Sequence, residues 1–369
     1  NNYISKYITF FMIRNFLFCF IFLLTYSTNS FSQQYISFKD KKLFFEGRIL
    51  YTKDAAELMW PGTSVTINFM GTGISGIFKD QDTSNYYNVI IDKDRIRTIQ
   101  FDTLKKVVQI ADGLPYGKHS LELFKRTEWD KGKTWFYGFI TNGKTKILSP
   151  DKLPQRKIEF FGNSITCGYA IYDSVKDFPY GYYENNYDAY AAITARHYDA
   201  QYHCTAKSGI GIMVSWFPLI MPEMYDRLDP TDSASKWDFS KYTPDLVVIN
   251  LLQNDSWIVT MPENEQFKKR FGTKAPDEAQ IVEAYKNFVQ TIRSTYPDAQ
   301  IICMLGNMDI TKEGSPWPGY VQKAVDELKD KKIFTYFAPY KDTYGHPKVN
   351  EQLTMAKGLI QFIDEHIKW

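Results

Sequence analysis

The stretch that decides the fold is KIEFFGNSITCGY, residues 157–169. Its first part, Lys157 to Phe161, is mostly apolar and predicts a strand. Gly162 and Asn163 then turn the chain, so that Ser164 emerges at the carboxyl end of that strand. A serine in this position is placed like a catalytic nucleophile, and a serine that only caps a following helix would have the same local sequence.

Downstream of this stretch, apolar runs alternate with segments of helical periodicity. The predicted strands are 246–251, 300–305 and 333–337, and the predicted helices are 187–198, 277–296, 320–328 and 349–367. Strands that alternate with helices indicate a parallel sheet covered by helices, the α/β class. Open α/β sheets bind ligands at the carboxyl ends of their strands, so we expect the functional residues there.

Upstream of this stretch the pattern is different. From about residue 35 to residue 142, apolar and polar residues alternate, as Val65, Ile67 and Phe69 illustrate, and turn signals separate the short segments. This spacing predicts an antiparallel β-sandwich. A polar stretch with prolines follows at 149–156. We therefore predict two domains, a β-sandwich at 33–148 and an α/β domain at 149–369.

The first 32 of the 369 residues have the pattern of a secretory signal peptide. An apolar run at 16–24 follows Arg14 and precedes a polar, small-residue stretch at 25–32. The run is shorter than the ~20 residues that a membrane-spanning helix needs, and Ser32 suits a cleavage site. We predict a signal peptide at 1–32, a secreted or periplasmic protein, and no membrane attachment after cleavage.

Charge and cysteine content exclude several classes of partner. The chain has 44 Lys and Arg against 42 Asp and Glu, and residues 1–32 hold two of those basic residues and no acid, so 42 of each remain. No clustered basic surface of the kind that binds nucleic acid is expected. Three cysteines remain beyond residue 32, an odd number that cannot form a disulfide framework. No histidine or cysteine cluster has metal-ligand spacing, so we predict no metal and no cofactor.

Two further segments carry side chains suited to the chemistry of a serine nucleophile. Leu252-Gln253-Asn254-Asp255 follows the predicted strand 246–251, and His346 lies in a turn before the last predicted helix. A hydroxyl, an amide and an imidazole at one sheet edge would supply a nucleophile, an oxyanion donor and a base. We therefore predict that these three side chains meet.

Together these segments resemble the SGNH, or GDSL-type, hydrolase superfamily. Gly162-Asn163-Ser164 resembles its first block, with Asn163 where Asp is usual, and Ser208 to Gly211 resembles its glycine block. Asn254-Asp255 resembles the third block, with Leu252 in place of Gly, and His346 supplies the fourth. The resemblance implies a three-layer α/β/α hydrolase domain.

A narrower resemblance is to carbohydrate esterase family 2. It rests on the variant Asn-Ser-Ile-Thr-Cys-Gly-Tyr at 163–169, on the β-rich domain in front, and on Asn-Asp-Ser-Trp at 254–257. The family joins a jelly-roll domain to an SGNH domain and removes acetyl groups from plant polysaccharides such as xylan and glucomannan. The resemblance therefore implies a secreted carbohydrate O-acetyl esterase whose partner is an acetylated polysaccharide or oligosaccharide.

The resemblance also assigns roles to residues of this chain. Ser164 would attack the acetyl carbonyl while His346 removes its proton and later returns one to the sugar oxygen. The backbone N–H groups of Ser164 and Gly209 and the side-chain amide of Asn254 would hold the oxyanion.

The chain departs from the superfamily where an Asp usually precedes the histidine by two residues, because that residue is Tyr344. Some members of the family orient the histidine through a backbone carbonyl, and the carbonyl of Tyr344 is our predicted orienter in a Ser–His dyad. Asp342 is the competing candidate, which would complete a triad.

Three aromatic residues are candidates for stacking on a sugar ring. Trp257 is the first, although a tryptophan buried in the core would have the same local sequence, and Trp216 and Tyr169 are lesser candidates. Asp255 is expected to brace the Asn254 loop rather than to react. Two other functions stay open: an SGNH esterase or lipase with another acyl substrate, and a secreted glycan-binding protein without catalysis.

Overall fold

The computed structural model describes residues 33–141 and 143–369, so the predicted signal peptide lies outside the described residues. The first half forms antiparallel strands because its apolar residues alternate with polar ones. These strands are β1 Tyr35–Ser37, β2 Leu43–Glu46, β3 Ile49–Tyr51, β4 Ala56–Leu58, β5 Ser64–Gly71, β6 Ile74–Asp80, β7 Tyr87–Ile91, β8 Arg95–Ile99, β9 Lys106–Ala111, β10 Gly117–Lys125, β11 Thr134–Thr141 and β12 Lys146–Ile147.

The twelve strands make two six-stranded sheets. One has the order β3-β4-β11-β6-β9 with β1 also paired to β11, and the other has the order β12-β5-β10-β7-β8 with β2 also paired to β5. Side chains from both sheets share one apolar core, in which Phe78 and Phe101 stack with ring centroids 4.0 Å apart. The alternation along β5 explains this packing, because Val65, Ile67 and Phe69 all enter that core.

The second half is built on a five-stranded parallel sheet. Its strands are β13 Lys157–Gly162, β14 Gln201–Ala206, β15 Leu246–Asn250, β16 Gln300–Leu305 and β17 Ile333–Phe337, in the order β14-β13-β15-β16-β17. Its helices are α1 Ser164–Cys167, α2 Tyr190–His197, α3 Met221–Met224, α4 Gln253–Ile258, α5 Glu265–Phe271, α6 Glu278–Thr295, α7 Trp317–Leu328 and α8 Val349–His366.

Helices cover both faces of this parallel sheet. The core on one face contains residues of α6 and α7, and the core on the other contains residues of α2 and α8. The predicted α/β/α architecture, preceded by an all-β domain, is therefore confirmed. The chain passes from β13 to β14 on one side and then to β15 on the other side, so the direction of strand addition reverses at β13. A binding crevice is expected at the carboxyl ends of the strands at such a point.

Buried polar contacts join the two halves. Arg48, which is 1% exposed, donates to Glu159 Oε1 on β13 at 2.9 Å and to the carbonyl of Tyr225 at 2.6 Å. The Trp60 indole donates to the carbonyl of Leu228 at 2.8 Å. The predicted boundary at residue 149 lies between β12 and β13. In the described part of the chain, no helix combines the length and the apolar character needed to cross a membrane.

Candidate active site

Ser164 begins helix α1 directly after strand β13. Asn163 caps this helix through its Oδ1, which accepts from the backbone N–H of Ile165 at 3.0 Å. The turn is tight, because a side chain at Gly162 would lie 2.0 Å from Thr166 Oγ1. As the first residue of a helix, Ser164 has a backbone N–H without an intrahelical acceptor. That N–H is therefore available to a negatively charged oxygen.

His346 lies against Ser164 although 182 positions separate them in the chain. His346 Nε2 is 2.8 Å from Ser164 Oγ. The other ring nitrogen, Nδ1, is 2.7 Å from Asp177 Oδ2. With its proton on Nδ1, the ring has a free Nε2 that can accept the proton of the serine. The hydroxyl, the imidazole and the carboxylate thus form one hydrogen-bonded chain.

Asp177 is held by more than the imidazole. Its carboxylate also accepts from the backbone N–H of His346 at 2.7 Å and from Lys348 Nζ at 2.5 Å. Burial acts to raise the pKa of Asp177, but hydrogen bonds from His346 and Lys348 and the charge of His346 outweigh it and hold that pKa below the usual range. Asp177 is therefore a carboxylate across the whole physiological pH range.

The predicted orienter of the histidine is wrong. Within the described residues, the side-chain partner of Nδ1 is Asp177, whereas the carbonyl of Tyr344 accepts from Lys341 Nζ at 3.3 Å. Asp342 lies in the same loop and lines the neighbouring cavity. The physical reason is topological, because the loop after α1 brings in a carboxylate 169 positions before the histidine.

Asn254 lies on α4, which follows strand β15. Its Oδ1 accepts from the indole N–H of Trp216 at 3.0 Å, and its Nδ2 donates to the carbonyl of Ile210 at 2.8 Å. An amide NH₂ group has two protons, so one stays available after the bond to Ile210. The amide is thus fixed at both atoms, 3% exposed, beside the loop that follows β14.

Gly209 belongs to that loop after β14. Its φ of +82° is a backbone conformation that favours glycine. A side chain there would also approach Trp216 and Phe217 to 3.3 and 3.2 Å. The predicted oxyanion group, Gly209 with Asn254, therefore lies on the loop after β14 and on helix α4, which contact each other through Ile210.

Asp255 holds the loop after β14 that contains Gly209, which we call the glycine loop. The fully buried carboxylate accepts from the backbone N–H groups of Ile212 at 3.0 Å, Met213 at 2.7 Å and Val214 at 3.1 Å. Burial raises the pKa of Asp255 to about 6, against the opposing effect of those N–H groups. Its contacts hold the glycine loop, whereas Asn254 lies on helix α4 and not on a loop that Asp255 could brace.

The β-sandwich reaches the other end of the same loop through Glu128. This fully buried carboxylate accepts from the backbone N–H of Ser208 at 2.7 Å and also from the Ser208 hydroxyl. Lys207 Nζ lies 3.4 Å from Glu128 and 2.7 Å from Asp130. Burial alone would lower the pKa of Lys207, but Glu128 and Asp130 raise it. A charged network from the front half therefore fixes the residues just before Gly209.

The three aromatic candidates occupy different places. Trp257 donates its indole N–H to Asp309 Oδ2 at 2.7 Å and lines a cavity of about 570 Å³ together with Asp177 and His346. Trp216 is 44% exposed. Tyr169 instead packs its ring on His346, with centroids 4.8 Å apart. Stacking on a sugar ring stays a prediction for Trp257 and Trp216, and Tyr169 contacts the imidazole of His346.

The described residues contain no group of three or more His, Cys, Asp or Glu side chains that is arranged to hold a metal ion. The three cysteines of the described chain, Cys167, Cys204 and Cys303, are free and buried.

Comparison with known proteins identifies the family. Residues 160–355 match the model of the GDSL-like lipase and acylhydrolase family, and residues 45–150 match the model of the carbohydrate esterase 2 amino-terminal domain. A solved family two carbohydrate esterase from Clostridium thermocellum, in complex with cellohexaose, is 34% identical, with a TM-score of 0.77, over 88% of this chain and 98% of that one. The chain belongs to carbohydrate esterase family 2.

Two curated relatives are similar to this family 2 chain along most of its length. The cellulase/esterase CelE of Acetivibrio thermocellus is 33% identical over 340 residues, which cover 89% of this chain and 40% of that protein. An acetylxylan esterase / glucomannan deacetylase of Cellvibrio japonicus is 25% identical over 343 residues, 90% of this chain and 91% of that protein. The chain thus spans less than half of the first relative and nearly all of the second.

Two residues of the esterase site were missed by sequence reasoning. Asp177 lies in an irregular loop 13 positions after Ser164, and Glu128 lies in the other half of the chain. Neither belongs to a periodic segment or to one of the four motif blocks. The sequence shows that the loop after the nucleophile helix α1 contains acidic residues. It does not show which of them contacts the histidine, because several occur in that loop.

Proposed function

We propose that this protein removes acetyl groups from plant polysaccharides such as xylan and glucomannan. The observation that carries the proposal is the continuous chain from Ser164 Oγ through His346 to Asp177, with joining distances of 2.8 and 2.7 Å. The family and the relative named as a deacetylase supply the substrate class.

In the first half of the proposed reaction, Ser164 Oγ attacks the carbonyl carbon of the acetyl ester while His346 Nε2 takes the hydroxyl proton. The carbonyl oxygen becomes an oxyanion beside the N–H groups of Ser164 and Gly209 and the amide of Asn254. When the tetrahedral intermediate collapses, His346 gives its proton to the departing sugar oxygen. The sugar leaves with a free hydroxyl, and Ser164 carries the acetyl group.

In the second half, a water molecule repeats the same steps on the acetyl-enzyme. His346 removes a proton from the water as its oxygen attacks the acetyl carbon, and then returns a proton to Ser164 Oγ. Acetate leaves, and the free enzyme is restored. Asp177 keeps the imidazole in the required orientation and stabilises its charged form.

Acetate release from acetylated xylan, acetylated glucomannan and acetylated pectin tests the proposal. Wild type should release acetate from the first two, and Ser164→Ala should release none above background. Equal release by both proteins would remove Ser164 from the mechanism. Faster cleavage of long-chain acyl esters than of acetyl esters would favour a lipase instead, and failure of a fluorophosphonate to label Ser164 would favour a protein that only binds glycans.

We also propose that the chain is exported through the signal peptide at 1–32, as a polymeric substrate outside the cell requires. Amino-terminal sequencing of the protein recovered from the medium or the periplasm should begin at Gln33.

A further inference from the structure

A row of exposed aromatic rings begins next to Asp177. Phe178 is 39% exposed, Tyr180 is 52% exposed and Tyr182 is 46% exposed. The rings of Phe178 and Tyr180 are near parallel, with centroids 5.8 Å apart, and those of Tyr180 and Tyr182 are near parallel at 5.7 Å. Three large rings exposed side by side form an apolar patch of the kind that marks a binding surface.

The backbone that carries the row is fixed from beneath. Asp173, which is 1% exposed, accepts from the backbone N–H of Phe178 at 2.7 Å and of Val175 at 2.8 Å. Arg126 of the β-sandwich, 5% exposed, donates to the carbonyls of Glu184 and Tyr182 at 3.2 and 3.4 Å. Because the loop is already ordered, a ligand would meet preorganised rings and lose little affinity to ordering them.

The row connects the catalytic loop to the front domain. Phe178 is the neighbour of Asp177, whose carboxylate contacts His346, so its Cα lies about 3.8 Å from that of Asp177. At the far end, the ring of Tyr182 lies 6.5 Å from the ring of Tyr86 in the β-sandwich. A long ligand that follows the row would therefore extend from Asp177, beside His346, to Tyr86 of the β-sandwich.

We propose that the row Phe178, Tyr180 and Tyr182 is a subsite for the main chain of a neutral polysaccharide whose acetyl group reacts at Ser164. This inference rests on the proposed function. The apolar C–H face of a pyranose packs flat on an aromatic ring, and the two phenol groups can exchange hydrogen bonds with sugar hydroxyls. Asp173 and Asp177 are carboxylates of the same loop, and their negative charge disfavours an anionic polymer such as pectin.

The test compares a polymer with a small ester that cannot reach the row. The double variant Tyr180→Ala/Tyr182→Ala should lower kcat/KM on acetylated glucomannan or xylan about ten-fold, mainly through KM, since each aromatic contact accounts for roughly two- to ten-fold. Its kcat/KM on 4-nitrophenyl acetate should stay unchanged. The control is Tyr116→Ala, an even more exposed tyrosine, 62%, of the front half, which should leave kcat/KM on both substrates unchanged.

Two outcomes would overturn the inference. An equal loss on polymer and small ester would mean that the rings only support Asp177, and unchanged kinetics on the polymer would mean that no sugar lies on them. Affinity electrophoresis in a gel that contains deacetylated glucomannan, with Ser164→Ala as the parent protein, separates this question from the proposed function. The parent should be retarded and the same protein with the double substitution should not, whether or not acetate is ever released.

Discussion

The two sides of Ser164 are built in different ways. On the histidine side, the side chains of His346 and Asp177 keep 18% and 15% of their surface exposed, and each ring nitrogen of His346 makes one hydrogen bond. On the oxyanion side, Asp255 and Glu128 are fully buried, and each carboxylate accepts from the backbone of one glycine loop.

This difference follows from what each side is proposed to do. A proton transfer needs one well-aligned hydrogen bond that can change partner, and partly exposed loops allow this small movement. Stabilisation of an oxyanion needs dipoles that point the same way before and during the reaction, so their supports must not reorient. The comparison predicts that substitutions on the histidine side act on chemistry, whereas those beneath the glycine loop act on both rate and stability.

The largest effect is expected from His346→Ala. The variant keeps its fold because the imidazole is partly exposed, but it loses the base, so kcat on an acetyl ester should fall roughly 10⁵- to 10⁶-fold. Thermal unfolding checks that the melting temperature stays near that of wild type. The double variant Ser164→Ala/His346→Ala should be no slower than either single variant, and a further large loss would show that the two residues act separately.

Asp177→Ala should have the next largest effect. It leaves the imidazole without its orienting partner and should lower kcat by roughly 10³- to 10⁴-fold. Asp342→Ala is the matched control, a carboxylate of the histidine loop, and should change kcat less than three-fold or so. If the two variants exchanged these values, Asp342 would be the orienter and the geometry around Nδ1 would be refuted.

Asn254→Ala tests the oxyanion side directly. Loss of the amide should lower kcat by about 10²- to 10³-fold with little change in KM, because the amide would act in the transition state. Trp216→Phe removes the indole N–H that holds Asn254 Oδ1 while it keeps an aromatic ring, and it should lower kcat by a smaller factor. An Asn254→Ala variant with the kcat of wild type would remove the amide from the mechanism.

Glu128→Gln tests whether the front half supports the glycine loop. The substitution leaves Lys207 and Ser208 with a weaker acceptor, so we expect about a ten-fold loss of kcat together with a lower melting temperature. Glu57→Gln is the control, since Glu57 is 6% exposed and pairs with Lys133 at 2.7 Å elsewhere in the β-sandwich. It should lower the melting temperature and leave kcat unchanged, and equal losses of kcat would contradict a specific role of Glu128.

The smallest expected effect is a pH dependence of stability due to Asp255. Burial raises its pKa to about 6, above the value near 4 of an unfolded chain. Ionisation therefore favours the unfolded state, and this cost is complete above pH 6 and disappears as the pH falls toward 4. The free energy of unfolding of wild type, minus that of Asp255→Asn, should rise as the pH is lowered from about 6 to about 4 in urea titrations. A flat difference would mean that the pKa is ordinary.

The sheet and the contact of Ser164 with His346 were predictable because both depend on local patterns. Apolar segments set the strands, polar residues at the strand ends set the crevice, and parallel strands bring their carboxyl ends to one edge. The long helices are also where periodicity places them, with α6 at Glu278–Thr295 against a predicted 277–296. The short helices α3 and α5 carry too few turns to show a period and were not predicted.

The support of the site was not predictable for a physical reason. Asp177 meets His346 through an irregular loop whose path depends on Asp173 and Arg126, and Arg126 itself belongs to the other half. Glu128 reaches the glycine loop only because the two halves pack together. Such contacts depend on the assembled tertiary structure, and no spacing within the sequence encodes them.

The ion pair of Arg48 and Glu159 limits how this protein can be truncated or recombined with other domains. If the first 148 residues were removed, Glu159 on β13 would lose the guanidinium of Arg48, and an uncompensated buried charge costs several kcal/mol. The shorter fragment would be expected to misfold or aggregate. A fusion protein that is to contain a folded α/β domain therefore has to include both halves of this chain.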